Sequence, residues 1–480
     1  MKSRFNFFSL IHFIVLILSL TTDWYYPLVF ILFISVVILM LDKLGKGVVL
    51  RETIALHTCF VCLVMPVVSY TFFDKTNRLA RIFVKYMQVP ASTYFDFALP
   101  AIAGFILILC WPIETPAYSD KGSYLQQAIA KAKAILERRP LVGVYLLAIG
   151  TVMFWVSKFL PTTLEFAFLL FFFAAFAGFL YVFYQTTFRY RRIILFFFGA
   201  FIITTALSTG MFTIVAYMSL TLFSFFFLGR KTPLWKKFYM FLLGVLILLL
   251  IQSVKPTYRA LTWDKHYEGS NIALFANLLV DKVTEGNWSS PDAFFLIYIR
   301  TNQGFNVSLV MRRIPSKMPY DGGSNLLLSV ASSLVPRLLW PDKPEAGGKY
   351  NMQYYTGVIL HGWSTNIGPL GEAYGSFGAS GGIIYMCFLA LFVRWAYLCV
   401  FKVSVKLPLI IFWIPVLFYQ VTYAAETDTL QVFNSLIKSA FFIWMLYKQW
   451  PHWFGVERRR TPLPRLQDKG GYSLTNQATH

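Results

Sequence analysis

The sequence predicts an all-α fold, a polytopic membrane helix bundle of about 12 transmembrane helices with one large, partly helical extracytoplasmic loop. Three observations carry this expectation. Of 480 residues, 57% are hydrophobic and 14% are charged, whereas a soluble domain carries roughly 25% charged residues. Apolar runs recur at about the 20-residue length that crosses a hydrocarbon core ~30 Å thick. Basic residues gather in every second connection between those runs, as they do in cytoplasmic loops.

The expected spans are 5–20, 26–41, 53–73, 97–113, 141–160, 164–184, 193–207, 211–228, 238–254, 382–401, 407–424 and 430–447. The first lacks a small-residue cleavage site and reads as a retained signal-anchor. The seventh and eighth are short. Two amphipathic segments flank the fourth span. In 74–87, Leu79, Ile82, Phe83 and Tyr86 share one helical face and Arg78, Arg81 and Lys85 the other, which suits a helix lying in the interface. The stretch 118–139 reads as a second surface helix.

A net charge of +21 would suggest nucleic acid as the partner of a soluble protein. Here topology accounts for it. With the N-terminus inside, the inner segments hold Lys43, Lys46, Arg51, Lys131, Lys133, Arg191, Arg230, Lys237, Lys402 and the basic tail, among others. The short outer turns near 22–25, 161–163, 208–210 and 425–429 hold no Lys or Arg. This places both termini in the cytoplasm and the long loop outside, with no nucleic acid partner. All five cysteines fall in apolar spans, so no disulfide framework is expected outside.

Four regions follow: 1–254 with nine spans, the loop 255–381 carrying the active-site residues, 382–447 with three spans, and a tail at 448–480 that reads as disordered. Within the loop, 271–283 has helical apolar spacing, and Ser324 reads as the N-cap of a helix that Pro336 ends. Gly347, Gly348 and the glycine-rich run 368–382 permit tight turns.

Arg337 lies between Pro336 and an apolar Leu-Leu-Trp, so it needs a partner: a protein carboxylate or a substrate phosphate. Glu372 follows Gly371 beside apolar sequence. Such an acid serves as a proton acceptor or as a helix-capping, ion-paired residue. His361 reads either as a second acid–base group or as a hydrogen-bonded structural residue. Arg394 and Lys438 lie inside spans, where ionisable groups are costly. The loop has no HExxH, no clustered His or Cys, and no paired DxD, so neither a metal nor a cofactor is expected.

At these residues the chain resembles the Wzy-type polymerases, which join lipid-linked oligosaccharide repeat units of O-antigen or exopolysaccharide. The resemblance rests on VPRLLWPDKP at 335–344 and on Gly371, Glu372, Tyr374, Phe377 and Gly378 entering the next span. It departs from the pattern at 208–211, where no Arg stands, and at Ala425 before Glu426. The resemblance implies a metal-independent glycosyltransferase acting on undecaprenyl-pyrophosphate-linked glycans as donor and acceptor. Arg300, Arg312, Arg337 and Lys343 would meet the pyrophosphate, and Glu372, then His361, would take the acceptor proton. A chain-length regulator and a flippase are the partners implied. Two other readings stay open: a ligase-like transferase of the same lipid-linked glycans, and a non-catalytic transport or assembly protein.

Single-cysteine substitutions test the sidedness. Lys265→Cys, Lys317→Cys and Lys349→Cys should label from outside intact cells, and Arg191→Cys, Lys236→Cys and Lys402→Cys only after permeabilisation. Labelling of Lys317→Cys from the cytoplasm would remove the loop from the outer face.

Overall fold

The structure is a computed structural model that describes residues 7–113, 124–160, 162–209, 222–230, 232–264, 267–284, 291–335, 339–340, 348–360 and 365–456. Every named element among the described residues is helical, and one isolated bridge joins Leu44 to Gly47. Eight helices are long and apolar enough to cross a membrane, or nine if a pair bent by 85° counts as one span. The expected count of about twelve is not reached among the described residues. The first expected span forms a helix of only 15 residues, and residues 211–221 of the eighth lie outside the described set.

Helices α1 (Phe7–Thr21) and α2 (Tyr25–Lys43) pair through a buried contact between His12 Nε2 and Ser35 Oγ at 3.1 Å. Helix α3 (Leu50–Phe72) passes through a π-helical turn at Phe60–Val64. Two residues later Pro66 has no N–H to give the Cys62 carbonyl, so the α-helical ladder cannot satisfy that oxygen. The Tyr94 hydroxyl donates to it instead, at 2.7 Å.

The amphipathic segment 74–87 was expected as one interfacial helix. The structure corrects this to a short α4 (Arg78–Ile82). Local side-chain bonds compete with the helix on its N-terminal side: Asp74 Oδ1 accepts from the Thr76 N–H and hydroxyl, and Asn77 caps α4 by accepting from Ala80 N. Val84, at φ 50°, ends it.

Helix α5 (Ala91–Cys110) is the axis of the bundle. Tyr94, Phe95, Phe97, Leu99, Ile102 and Ile106 are all fully buried on it. Its last carbonyls would be orphans in an apolar interior. Arg51 Nη1 donates to Leu109 O at 2.9 Å and to Trp111 O at 3.0 Å. Arg394 donates to Ile108, Trp111 and Pro112 carbonyls. Two cations at a helix C-terminus also complement its dipole. Arg394, an ionisable group inside a span, is thus a helix cap.

Helix α6 (Tyr124–Glu137) meets α7 (Val142–Ser157) at 85°. Helix α8 (Thr162–Tyr184) packs along α7 with small residues at the seam. A Cβ on Gly150 would lie 2.6 Å from Ala175 Cβ and 2.8 Å from Phe171 O, the backbone approach that small residues allow between helices in lipid. Helices α9 (Arg191–Thr209) and α10 (Leu234–Arg259) are peripheral. Their Phe196, Phe197, Leu242, Leu246 and Ile247 are exposed, an apolar face suited to hydrocarbon rather than water.

Between α10 and the next long helix lie α11 (Asn271–Thr284), α12 (Pro291–Thr301), α13 (Gln303–Arg313) and α14 (Ser324–Leu334). The expected spacing at 271–283 is realised as α11. The cap of α14 is Gly323, with left-handed backbone, one residue before the expected Ser324. Helix α15 (Gly368–Ser404) spans 37 residues and breaks at Gly378, where φ is 69° and ψ is −164°. Pro408–Glu426 is a span of short 3-10 and α turns, and α16 (Thr429–Gln449) follows.

Side-chain and backbone bonds sort the connections into two ends. At one end Lys237 Nζ donates to Leu41 and Leu44 carbonyls, Gly229 N to Gly45 O, Gln185 Nε2 to Leu136 O, and Arg139 Nη1 to His452 O. These are the basic connections of the sequence. At the other end Tyr298 OH donates to Lys85 O at 2.6 Å, Gln88 N to Ser308 Oγ at 3.1 Å, and Tyr70 OH to Val89 O at 2.9 Å.

The α7–α8 seam gives a direct test. Gly150→Val should destabilise the protein by about 1–3 kcal/mol through overpacking, read as a lower unfolding midpoint in detergent micelles. An unchanged midpoint would mean the two helices are free to separate.

Candidate active site

The polar end of the bundle holds a buried hydrogen-bond network assembled from separate stretches of chain. Glu372 is at its centre, in the first turns of α15, and is fully buried. Its Oε1 accepts from Asn351 Nδ2 at 2.7 Å. Its Oε2 accepts from Thr429 N at 2.8 Å and from Thr429 Oγ1 at 2.5 Å. The carboxyl group therefore caps the N-terminus of α16 by accepting its first N–H. Of the two roles the sequence left open for Glu372, the capping geometry is the one formed. The Thr429 hydroxyl also lies 2.7 Å from Tyr385 OH.

Asp428, 1% exposed, is the N-cap of α16: its Oδ1 accepts from Gln431 N at 2.6 Å. Its Oδ2 accepts from Asn366 Nδ2 at 2.9 Å. The Asn366 carbonyl in turn accepts from Gln303 Nε2 at 2.7 Å and Asn306 Nδ2 at 2.9 Å. Gly368, at φ 72°, lets these strands of chain close: a Cβ there would lie 2.3 Å from Ala425 O. On the other side of Glu372, Asn325 Nδ2 reaches both Asn351 Oδ1 and Tyr355 OH at 3.3 Å. Tyr355 OH donates to Asp321 Oδ2 at 2.7 Å. Burial raises the Tyr355 phenol above its usual range, so it stays a donor at any ordinary pH.

A second cluster lies at the end of α10, which packs against α12. Lys255, on the last turns of α10, is 5% exposed. Its charged neighbours are Arg259, Arg300 and Glu426, and no salt bridge to it forms among the described residues. Glu426 Oε1 meets His57 Nε2 at 3.0 Å, with 34% of the Glu426 side chain and 15% of the His57 side chain exposed. The cluster therefore offers three cations, one of them buried, beside an accessible carboxylate–imidazole pair. Cations of this kind attract a phosphate-bearing group. The pair has the residue types and spacing of a proton acceptor and its orienting partner.

Of the expected site residues, the structure brings Arg300 to this cluster. Arg300 is exposed at the end of α12. Arg312 is placed elsewhere: it is exposed, and its Nη1 donates to Gln88 Oε1 at 2.6 Å. Glu372 is in the buried network, out of solvent contact. Arg337, Lys343 and His361 lie outside the described residues. Lys255 and Arg259 are ionisable residues at the start of the loop, and Glu426 is an acid of the last outer turn that could face the same cavity. His57 was missed, although an imidazole inside an apolar span is itself a signal. The amide-rich Asn302–Ser308 run was a further sign of the network. Among the described residues no three His, Cys, Asp or Glu side chains are grouped as a metal site.

A family model described as Domain of unknown function (DUF8712) matches residues 123–400. No curated protein and no solved structure matches the chain.

The Glu372 clasp is testable. Glu372→Ala leaves three buried donors, two on Thr429 and one on Asn351, without their acceptor. Each orphaned group costs about 1–3 kcal/mol. Chemical unfolding of Glu372→Ala in micelles should show a loss of that order or more, and wild-type stability would mean that the carboxylate does not hold α16.

Proposed function

The chain belongs to the DUF8712 family, and from its own geometry we propose that it is a metal-independent membrane glycosyltransferase that polymerises undecaprenyl-pyrophosphate-linked oligosaccharide units. The product is an O-antigen or exopolysaccharide, made on the outer face of a bacterial inner membrane. The observation that carries the reading is buried Lys255, whose charged neighbours are Arg259, Arg300 and the Glu426 that pairs with His57, set among helices apolar enough to sit in lipid. A lipid pyrophosphate is the kind of anion that reaches such a place. In this reading the basic end of the bundle faces the cytoplasm, with both termini, and the polar network faces outside.

The reaction exchanges one bond for another. The acceptor hydroxyl oxygen bonds to the anomeric carbon of the donor glycan, and the bond from that carbon to the pyrophosphate oxygen breaks. The hydroxyl proton passes to Glu426, with His57 orienting the carboxylate. The leaving lipid pyrophosphate carries the electron pair and gains charge as it departs. Lys255, Arg259 and Arg300 stabilise that charge, joined by Arg337 and Lys343 from the 335–344 motif. Glu372 takes a positioning role: it fixes the start of α16 and hence Asp428 and the turn that presents Glu426. His361 keeps the acid–base role that the resemblance implies.

Purified protein and lipid-linked repeat units test the proposal. The wild type should yield a ladder of polymer. Lys255→Met should slow its formation by ~10²–10³, the usual cost of losing one strong charge-stabilising donor, at unchanged unfolding temperature. Glu426→Gln should leave single lipid-linked units unjoined. Full-rate polymer from both variants would overturn the assignment of this cluster. Transfer to a lipid acceptor without chain growth, or movement of the lipid without bond formation, would replace polymerisation with ligation or transport.

A further inference from the structure

The opposite, basic end of the bundle holds a cavity of about 420 Å³ that the proposed reaction does not use. Three cations line it from three elements: Lys133 on α6, Arg191 at the start of α9, and Arg230 on the connection before α10. No Asp or Glu is among its lining residues, and none of the three cations forms a salt bridge among the described residues. Arg191 Nε is buried with no hydrogen-bond partner. An unpaired guanidinium N–H away from water is costly unless a ligand supplies the acceptor.

The walls have a second character. Arg191 lies over the Phe183 ring, 5.2 Å from its centroid, and Lys133 Nζ lies 5.9 Å from that of Tyr184. Phe225 and Phe226 complete the apolar side. Tyr184 OH donates to Phe225 O at 2.7 Å and Gly229 N to Gly45 O at 3.0 Å, so the walls are tied to each other and to the rest of this end. Helix α6, which contributes Lys133, lies at 85° to α7, and its buried residues Leu125, Ala128, Ile129, Ala132 and Leu136 fall on one face.

We propose that this cavity binds the phosphate of an anionic phospholipid headgroup. Three cations with no acid among them match a phosphate oxyanion, and the guanidinium of Arg191 presents donors in the fork geometry that phosphate accepts. The aromatic side takes the glycerol and first acyl carbons, as in basic pockets between membrane helices. The site stands at the end of the bundle away from the Lys255 cluster and does not depend on the reaction assigned there.

The test uses full-length protein purified in a neutral detergent. Phosphatidylglycerol, phosphatidylcholine and inorganic phosphate are added separately, and binding is read by native mass spectrometry and by the shift in unfolding temperature. The wild type should retain phosphatidylglycerol and be stabilised by it, with little response to phosphatidylcholine. Arg191→Gln and Arg230→Gln should each weaken binding by about tenfold, the loss expected for one hydrogen bond to a charged group. Ala130→Trp should fill the cavity and abolish binding with all three cations in place, and Lys236→Gln, outside the lining, should bind as wild type. Equal binding of phosphatidylglycerol by the wild type, Arg191→Gln and Ala130→Trp overturns the proposal. Saturation by inorganic phosphate with no further effect of phosphatidylglycerol overturns the lipid as its source.

Discussion

One buried carboxylate joins the two parts of the chain that sequence alone keeps apart. Glu372 receives the first N–H and the hydroxyl of Thr429 and the amide of Asn351, so the start of α16, the start of α15 and the segment before it are held at one point. Taking a carboxylate out of water is expensive, and only full hydrogen bonding offsets it. Once it is fixed, Asp428 is fixed as the adjoining cap, Asn366 is fixed by Asp428, and Gln303 and Asn306 by Asn366. The turn that carries Glu426 to His57 lies within this frame.

The same requirement governs the rest of the bundle. Polar groups away from water must be satisfied by the protein itself. Arg51 and Arg394 answer the last carbonyls of α5, and Tyr94 answers the carbonyl that Pro66 leaves open. Few ionisable groups are spent on surface pairs: the Lys46–Asp42 bridge is exposed, whereas Lys43–Glu52 holds a carboxylate that is 1% exposed. At Arg191 this internal satisfaction is incomplete: its buried Nε has no hydrogen-bond partner among the described residues.

The helices were legible because hydrophobic run length is a one-dimensional signal. The α11 pattern and the stop after α14 were read from spacing and from Pro336. The segment 74–87 misled because amphipathic spacing there is real, but Asp74, Thr76 and Asn77 bond to their own backbone and take those residues out of the helix. The site was less legible. Charge draws attention to the arginines, yet the network joins buried carboxylates to neutral amides and hydroxyls that lie tens of residues away. His57 and Glu426 are separated by 369 positions, and no local pattern reports such a pairing. Glu372 stands out in the sequence within its glycine-rich run, but its partners Asn351 and Thr429 lie 21 and 57 positions away and leave no trace in that run.

The π turn at Phe60–Val64 has a bearing on how the chain tolerates change in its length. A π turn winds one more residue into a helix than α geometry uses, and each residue of an α-helix advances the winding by about 100°. The halves of α3 before and after the turn are therefore out of phase by that amount. The first half aims His57 at Glu426, and the second sets Pro66 against Gly304 and opens Cys62 to Tyr94. Deleting a single residue here would give a more regular helix and a worse protein, because only one half could keep its facing. Inserting one elsewhere in α3 would do the same. The span is thus intolerant of frame-preserving indels where an ordinary lipid-exposed helix would absorb them, and this intolerance belongs to its winding rather than to any one side chain.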